Sequence, residues 1–197
     1  MRDALLIFVR NPHLGKVKTR LAAGIGNEKA LQVYEHLLQH TCNIAEKVPA
    51  AKFVFYADYI NENDLWNGFE KRLQTGDDLG ERMSLAFAYL FNDGFTKVCI
   101  VGSDCYELTS EIITQAFKKL ETTDVVVGPV LDGGYYLLGM NKMIPQLFIN
   151  KAWSTDTVLS DTLKDAASLN LTSHQLPMLS DIDDENDLRN SGLAYFV

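Results

Sequence analysis

The sequence predicts an α/β fold of three layers, a mainly parallel sheet covered by helices on both faces. Three observations carry this prediction. Short, mostly apolar runs of strand length recur along the chain, as at residues 4–9, 52–57 and 98–101. Longer segments with apolar residues at three- and four-residue intervals stand between them. Strand and helix patterns alternate through the first two thirds, which is how parallel strands with crossover helices read in sequence.

The elements follow in order. Residues 4–9 (Ala4, Leu5, Leu6, Ile7, Phe8, Val9) read as a buried strand that ends where Asn11, Pro12 and Gly15 make a loop. Ala30, Leu31, Tyr34, Leu37, Leu38, Cys42 and Ala45 mark a helix over 28–47, closed by Pro49. Residues 52–57 form a second strand, 61–68 a loop with a helical turn, and 72–74 a short third strand. From Asp78, the positions Leu79, Met83, Ala86, Phe87 and Leu90 give a helix that stops near Asn92 and Gly94. After the strand at 98–101, Thr109 caps a helix with Ile112, Ile113, Ala116, Phe117 and Leu120 on its apolar side. Strands at 124–130 and 135–140 flank a turn of Asp132, Gly133 and Gly134. A helix over 155–169 is expected to be capped by Thr155, and Asp183 or Asp184 to start a short terminal helix.

The chain of 197 residues is 47% hydrophobic, enough for one substantial core, and nothing in its composition marks a second domain. Its net charge of −8 is unevenly spread. Between Ala4 and Asn27 stand Arg10, Lys16, Lys18 and Arg20 without a single carboxylate, so the remainder carries −12. One basic loop on an acidic protein excludes a nucleic-acid partner, which needs a basic face, and suits a small anionic ligand. A basic, glycine-containing loop after the first strand of an α/β sheet is where such folds hold phosphorylated ligands, although charged loops are as often merely solvated. Three widely spaced cysteines (Cys42, Cys99, Cys105) point to free thiols in a reducing cytoplasm. The six-residue N-terminal apolar run is too short for a membrane span and lacks the form of a cleavable signal.

Three groups of carboxylates are placed to meet the basic loop. Asp104 lies just past the strand at 98–101, at the sheet edge where open parallel sheets bind ligands. Beside phosphate it needs a hard divalent cation, magnesium or manganese; otherwise it serves the loop or the following helix. Asp181 and Asp183 project to one face of an extended segment with Ile182 between them, and Asp183 competes for the role of helix cap. Asp132, Gly133 and Gly134 form a hairpin turn that also suits close approach to an acceptor hydroxyl. GxxxxGK[ST], GxGxxG, GxSxG and HExxH are all missing, and His36 and His40, one helical turn apart, read as a helix face rather than a metal pair.

These segments together resemble one family. They are the first-strand loop (Phe8 to Pro12, Gly15 to Leu21), Gly76 to Met83, Val101 to Cys105, Asp132 to Gly139, and Trp153, Ser154 and Thr155. The chain is similar, over residues 5–188, to the glycosyltransferase-A-like proteins of the radical-SAM/selenodomain-associated transferase type, within the nucleotide-diphospho-sugar transferase fold. It more distantly resembles phospholactate guanylyltransferases and molybdopterin-cofactor nucleotidyltransferases. The resemblance implies a Rossmann-like sheet binding a nucleotide across its first half and a small-molecule acceptor across its second. It implies that Arg10, Gly15, Lys16, Lys18 and Arg20 meet the phosphates and that Gly76, Asp78 and Arg82 flank the base. Lys18, Arg20 and Asp104 would be catalytic, Asp104, Asp181 and Asp183 would bind Mg2+ or Mn2+, and Asp132, Gly133 and Gly134 would face the acceptor. The implied activity is glycosyl or nucleotidyl transfer from a nucleotide-sugar or nucleoside triphosphate, the alternative being a non-catalytic nucleotide-binding regulatory module. Tyr106 stands where the family usually has proline, and Asp184 where threonine is common.

Overall fold

A computed structural model describes residues 2–197. Strands β1 (Asp3–Val9), β2 (Ala51–Tyr56), β3 (Glu70–Leu73), β4 (Lys97–Val101), β5 (Val125–Pro129), β6 (Tyr135–Met140) and β7 (Ser173–Gln175) form one seven-stranded sheet in the order β3-β2-β1-β4-β6-β5-β7. The helices are α1 (Thr19–Ile25), α2 (Asn27–Glu46), α3 (Leu79–Asn92), α4 (Ser110–Lys119), α5 (Val158–Ser168) and α6 (Glu185–Asn190). Every strand pair is parallel except those of β6, which runs against both β4 and β5. The hairpin explains that exception, because Gly133 takes φ 88° and turns the chain straight back.

The apolar strands bury side chains on both faces. On one, Leu5, Ile7, Val9 and Val126 pack against Tyr34, Leu38 and Cys42 of α2 and Ile113 and Phe117 of α4. On the other, Leu6, Phe55, Ile100 and Leu138 pack against Met83 and Phe87 of α3 and Ala166 of α5. The three layers expected from sequence are therefore present. A smaller cluster of Leu21, Val33, Leu37, Ile182, Leu188 and Leu193 ties α1 and α6 to α2.

Besides β3, which spans Glu70–Leu73 where 72–74 was expected, and an unexpected 3-10 turn at Pro145–Phe148, three features differ from the sequence-based expectation. Helix α1 occupies part of the predicted loop; its lone fully buried residue, Leu21, clusters with Val33 and Leu37 of α2, Leu188 of α6, and Ile182 and Leu193 beside α6. Strand β7, three residues long, exists through pairing with β5 rather than through its own pattern. The last long helix begins at Val158 behind Thr157, not at Thr155, whose hydroxyl donates to the Ala152 carbonyl at 2.7 Å. Residues 154–157 remain a turn because Ser154 is left-handed (φ 64°) and the Asp156 carbonyl is packed against Gly133.

The three cysteines are free and buried. Burial pushes the Cys42 thiol up to about 11 and that of Cys105 up to about 12, which makes them poor nucleophiles. No helix among the described residues is long and apolar enough to cross a membrane.

Candidate active site

Strand directions decide where the polar segments meet. β1 and β4 are adjacent and parallel, with Ile7 opposite Val101, so the loop after Val9 and the loop carrying Asp104 leave the sheet side by side. β5 and β7 run the same way, and a bridge between Val130 and Leu179 brings the hairpin turn and the chain tail to that same edge. The edge therefore gathers Lys18, Asp104, Asp132, Asp181 and Asp183.

The basic loop is fixed by uncharged groups. The Tyr34 hydroxyl accepts from the Arg10 N–H at 2.9 Å and donates to the Arg10 carbonyl at 3.0 Å. Burial, and then the nearby Asp104 charge, push the Tyr34 phenol up to about 12, so it stays a neutral clamp. Asn11 is buried; its amide donates to the Tyr59 carbonyl at 2.9 Å and its oxygen accepts from the Asp58 N–H at 3.1 Å. Gln74 donates to the Val9 and Phe55 carbonyls at 3.1 and 2.9 Å, stapling the ends of β1 and β2. Tyr34, Asn11 and Gln74 were not singled out from sequence: Tyr34 reads as helix core, Asn11 as a turn residue and Gln74 as a strand end.

Gly15 turns the loop at φ 72°, and Lys16 donates its N–H back to the His13 carbonyl at 3.0 Å. Arg10 and Lys16 are exposed, and among the described residues neither has a carboxylate within 4 Å. Lys18 is different. It adopts the left-handed region at φ 47°, and its side chain, only 6% exposed, places Nζ 2.8 Å from Asp104 Oδ1 and 2.9 Å from Asp183 Oδ1. Burial alone would disfavour its charge, but Asp104 and Asp183 outweigh that and raise its pKa. Arg20 pairs with the other oxygen of Asp183. Burial works against the Asp183 charge, yet Lys18 and Arg20 hold its carboxyl below the usual carboxylate range.

The tail is locked to the Asp104 loop by the Ile182 N–H, which donates to the Asp104 carbonyl at 3.0 Å. Ile182 is buried, so Asp181 and Asp183 share the polar face as the alternation requires. The helix-capping role belongs to Asp184, which forms a capping box with Asp187 at the start of α6 and leaves Asp183 to the cations.

One carboxylate oxygen each from Asp132, Asp181 and Asp183 lies within 4.8 Å of the others. Asp132, expected on the acceptor side, thus also borders the carboxylate group, whereas Asp104 is held by Lys18. Burial first, then the Asp183 and Asp132 charges, push Asp181 up to about 6. An all-oxygen set of crowded carboxylates fits a hard divalent cation such as Mg2+ or Mn2+.

The remaining motif residues frame the edge. Asp78 caps α3 by accepting from the Glu81 N–H at 2.8 Å, and Arg82 donates through Nε to the Gly76 carbonyl at 3.0 Å. Gly80 touches the Trp153 indole, where a Cβ would stand 2.2 Å from Nε1. Gly133 lies equally close to the backbone at Asp156, and its carbonyl accepts from the Leu159 N–H at 2.9 Å. Asp132 Oδ1 accepts from the Gly134 N–H at 3.0 Å. His36 and His40 lie half-buried against Tyr106, with His40 bonded to the Leu108 carbonyl at 3.0 Å.

The family model for "Uncharacterized protein conserved in bacteria (DUF2064)" matches residues 40–155. The chain belongs to this family. A protein from Desulfovibrio desulfuricans, provisionally described as a nucleotide-diphospho-sugar transferase, is 30% identical; the match covers 100% of this DUF2064 chain and 94% of that one, with a TM-score of 0.91. CMP:2-keto-3-deoxy-manno-octonic acid synthetase complexed with CTP is similar at 9% identity, 96% of each chain and a TM-score of 0.59. Rv0371c from Mycobacterium tuberculosis, in complex with manganese, is similar at 11% identity, 100% of each chain and a TM-score of 0.61. The last two likenesses show the fold, which is glycosyltransferase-A-like. No curated protein matches significantly in sequence.

Proposed function

We propose that this chain is a metal-dependent transferase that takes a nucleoside triphosphate or nucleotide-sugar donor and transfers its nucleotidyl or glycosyl group to a small acceptor. The observation that supports it best is the meeting of Lys18 and Arg20 with Asp104 and Asp183 at one sheet edge. Asp181 and Asp183, with Asp104 and Asp132 beside them, would hold a magnesium or manganese ion. That ion, when bound, would neutralise phosphate charge and favour the leaving of pyrophosphate or a nucleoside diphosphate.

Nucleotidyl transfer is the version the cation-rich loop favours. Arg10, Gly15 and Lys16 face the donor phosphates, and Gly76, Asp78 and Arg82 line the approach to its base. The acceptor hydroxyl, oriented by the wall of Asp132, Gly133 and Gly134, attacks the α-phosphorus. The bond from the α-phosphorus to its bridging oxygen breaks, and pyrophosphate departs as Lys18 and Arg20 meet its growing charge. Likeness to the Desulfovibrio protein favours the glycosyl version, in which the acceptor attacks the sugar's anomeric carbon and a nucleoside diphosphate leaves. We read the protein as a single domain; its three buried free thiols suit a reducing cytoplasm.

A panel of nucleoside triphosphates and sugar nucleotides with Mg2+ or Mn2+ tests this by melting temperature, then by release of pyrophosphate or nucleoside diphosphate. The expected result is a rise in Tm that needs both nucleotide and metal, followed by product release. Nucleotide binding without product under any acceptor identifies a regulatory module instead, and absence of any shift overturns the proposal.

A further inference from the structure

One carboxylate is asked to serve two kinds of cation. Asp183 completes the carboxylate group with Asp132 and Asp181, yet both of its oxygens already receive side-chain cations, Oδ1 from Lys18 at 2.9 Å and Oδ2 from Arg20. Lys18 Nζ also lies 2.8 Å from Asp104 Oδ1, so a single ammonium spans Asp104 and Asp183. The two cations differ in freedom. The Arg20 side chain is 71% exposed and can swing into water, whereas that of Lys18 is 6% exposed. The Lys18 backbone, left-handed at φ 47° just ahead of α1, takes a conformation that a residue with a Cβ seldom adopts without tertiary constraint.

That ammonium opposes a divalent ion. A carboxylate has lone pairs enough for an ammonium and a metal together, but a metal–oxygen distance of about 2.1 Å would then set the ion within roughly 5 Å of Nζ. Like charges at that separation in a partly buried site repel strongly. Lys18 cannot relieve the repulsion alone, because a buried ammonium withdrawn from Asp104 and Asp183 loses its partners without gaining water. It needs another anion within reach of its loop. On the transferase reading the donor phosphates are that anion, received by Arg10, Gly15 and Lys16 of the same loop.

We infer, on the basis of the transferase reading above, that Lys18 makes metal binding conditional on the donor. As a tethered cation between Asp104 and Asp183 it keeps the divalent-ion affinity of the protein alone low, and it releases the aspartates when donor phosphates take its charge. Metal and donor then bind with positive cooperativity, and linkage requires each to raise the affinity for the other by the same factor.

The test titrates Mn2+ into the full chain without nucleotide and reads free Mn2+ by electron paramagnetic resonance. Lys18→Met is expected to bind Mn2+ at least tenfold more tightly than the parent. Lys16→Met removes the same charge from the same loop, at a residue that has no carboxylate within 4 Å among the described residues, and should stay within threefold of the parent. Should Lys18→Met not fold, Lys18→Gln, uncharged but still a hydrogen-bond donor, is read in the same way. Equal affinities in the parent and Lys18→Met, or equal gains in the two variants, overturn this inference; a rise in the parent's Tm that needs both nucleotide and Mn2+ then leaves the transferase reading standing. The expected gain in Mn2+ affinity with no nucleotide-dependent rise in Tm removes the donor, and with it both the transferase reading and this inference. No Mn2+ binding by the parent or either variant overturns this inference as well.

Discussion

The two walls of this sheet edge are opposites. The loop after β1 carries Arg10, Lys16, Lys18 and Arg20 and no carboxylate, while the segments after β5 and β7 carry Asp132, Asp181 and Asp183 and no base. They also differ in how they are held. Side chains fix the first wall, through Tyr34, Asn11 and Gln74. Backbone contacts fix the second, at Gly133 against Asp156 and at Ile182 against Asp104. The contrast teaches that one sheet edge can set segments of opposite charge side by side, with Lys18 as the joint that meets Asp104 and Asp183.

Removing the joint should have the largest effect. Lys18→Met leaves Asp104 without its cation and Asp183 with Arg20 alone, and on the proposed mechanism withdraws charge from the departing group. Turnover is expected to fall about a hundredfold, roughly 3 kcal/mol, in steady-state assays of the cognate donor. Lys16→Met, at an exposed position without a carboxylate partner, should lose only about tenfold. Equal losses would mean that the bridge plays no special part.

The backbone-built wall is tested by Gly133→Ala. The residue sits at φ 88°, and a Cβ would stand 2.0 Å from the Asp156 carbonyl oxygen, a backbone atom that cannot swing away. Urea unfolding should show a loss of about 2–3 kcal/mol. Gly102→Ala, with nothing within 4 Å of its new Cβ, should change stability by less than about 0.5 kcal/mol.

The smallest effect concerns the burial and crowding of one carboxylate. Asp181 is pushed up to about 6 in the folded chain. The folded state then binds this proton more tightly than the unfolded state, so stability from this group declines as pH rises through that window and is level above it. In metal-free protein, Asp181→Asn should be more stable than the parent by about 1 kcal/mol near pH 7.5, the screening of a partly exposed group allowed for. The gain should vanish near pH 4, as thermal melts at the two pH values would show. Asp183 acts with the opposite sign: held low by Lys18 and Arg20, it contributes stability at neutral pH that is lost on acidification. A gain from Asp181→Asn that persists at pH 4 would mean that the Asp181 charge, disfavoured by burial and then by Asp183 and Asp132, is not its cause.

Much of the fold was legible because periodicity reports burial. β4 is buried at every position, and α4 puts Ile113, Ala116 and Phe117 inward behind its Thr109 cap, as the pattern implies. Helix α1 and strand β7 were illegible because each is stabilised by partners distant in sequence, Leu21 by Val33, Leu37 and Leu188, and β7 by β5. The onset of α5 slipped from Thr155 to Val158 because a contact with Gly133, more than twenty residues away, holds 154–157 as a turn. Of the candidate site, the residue types and their segregation by charge could be read directly, since both are properties of composition along the chain.

Sequence alone determined the layered α/β architecture, the basic first loop and the acidic tail, because side-chain period and charge are local quantities. Only the tertiary structure decided that Lys18 bridges Asp104 and Asp183, that Asp132 borders Asp181, and that Tyr34 clamps Arg10. Each of these depends on strand order and direction, which place residues up to 165 positions apart within hydrogen-bonding distance.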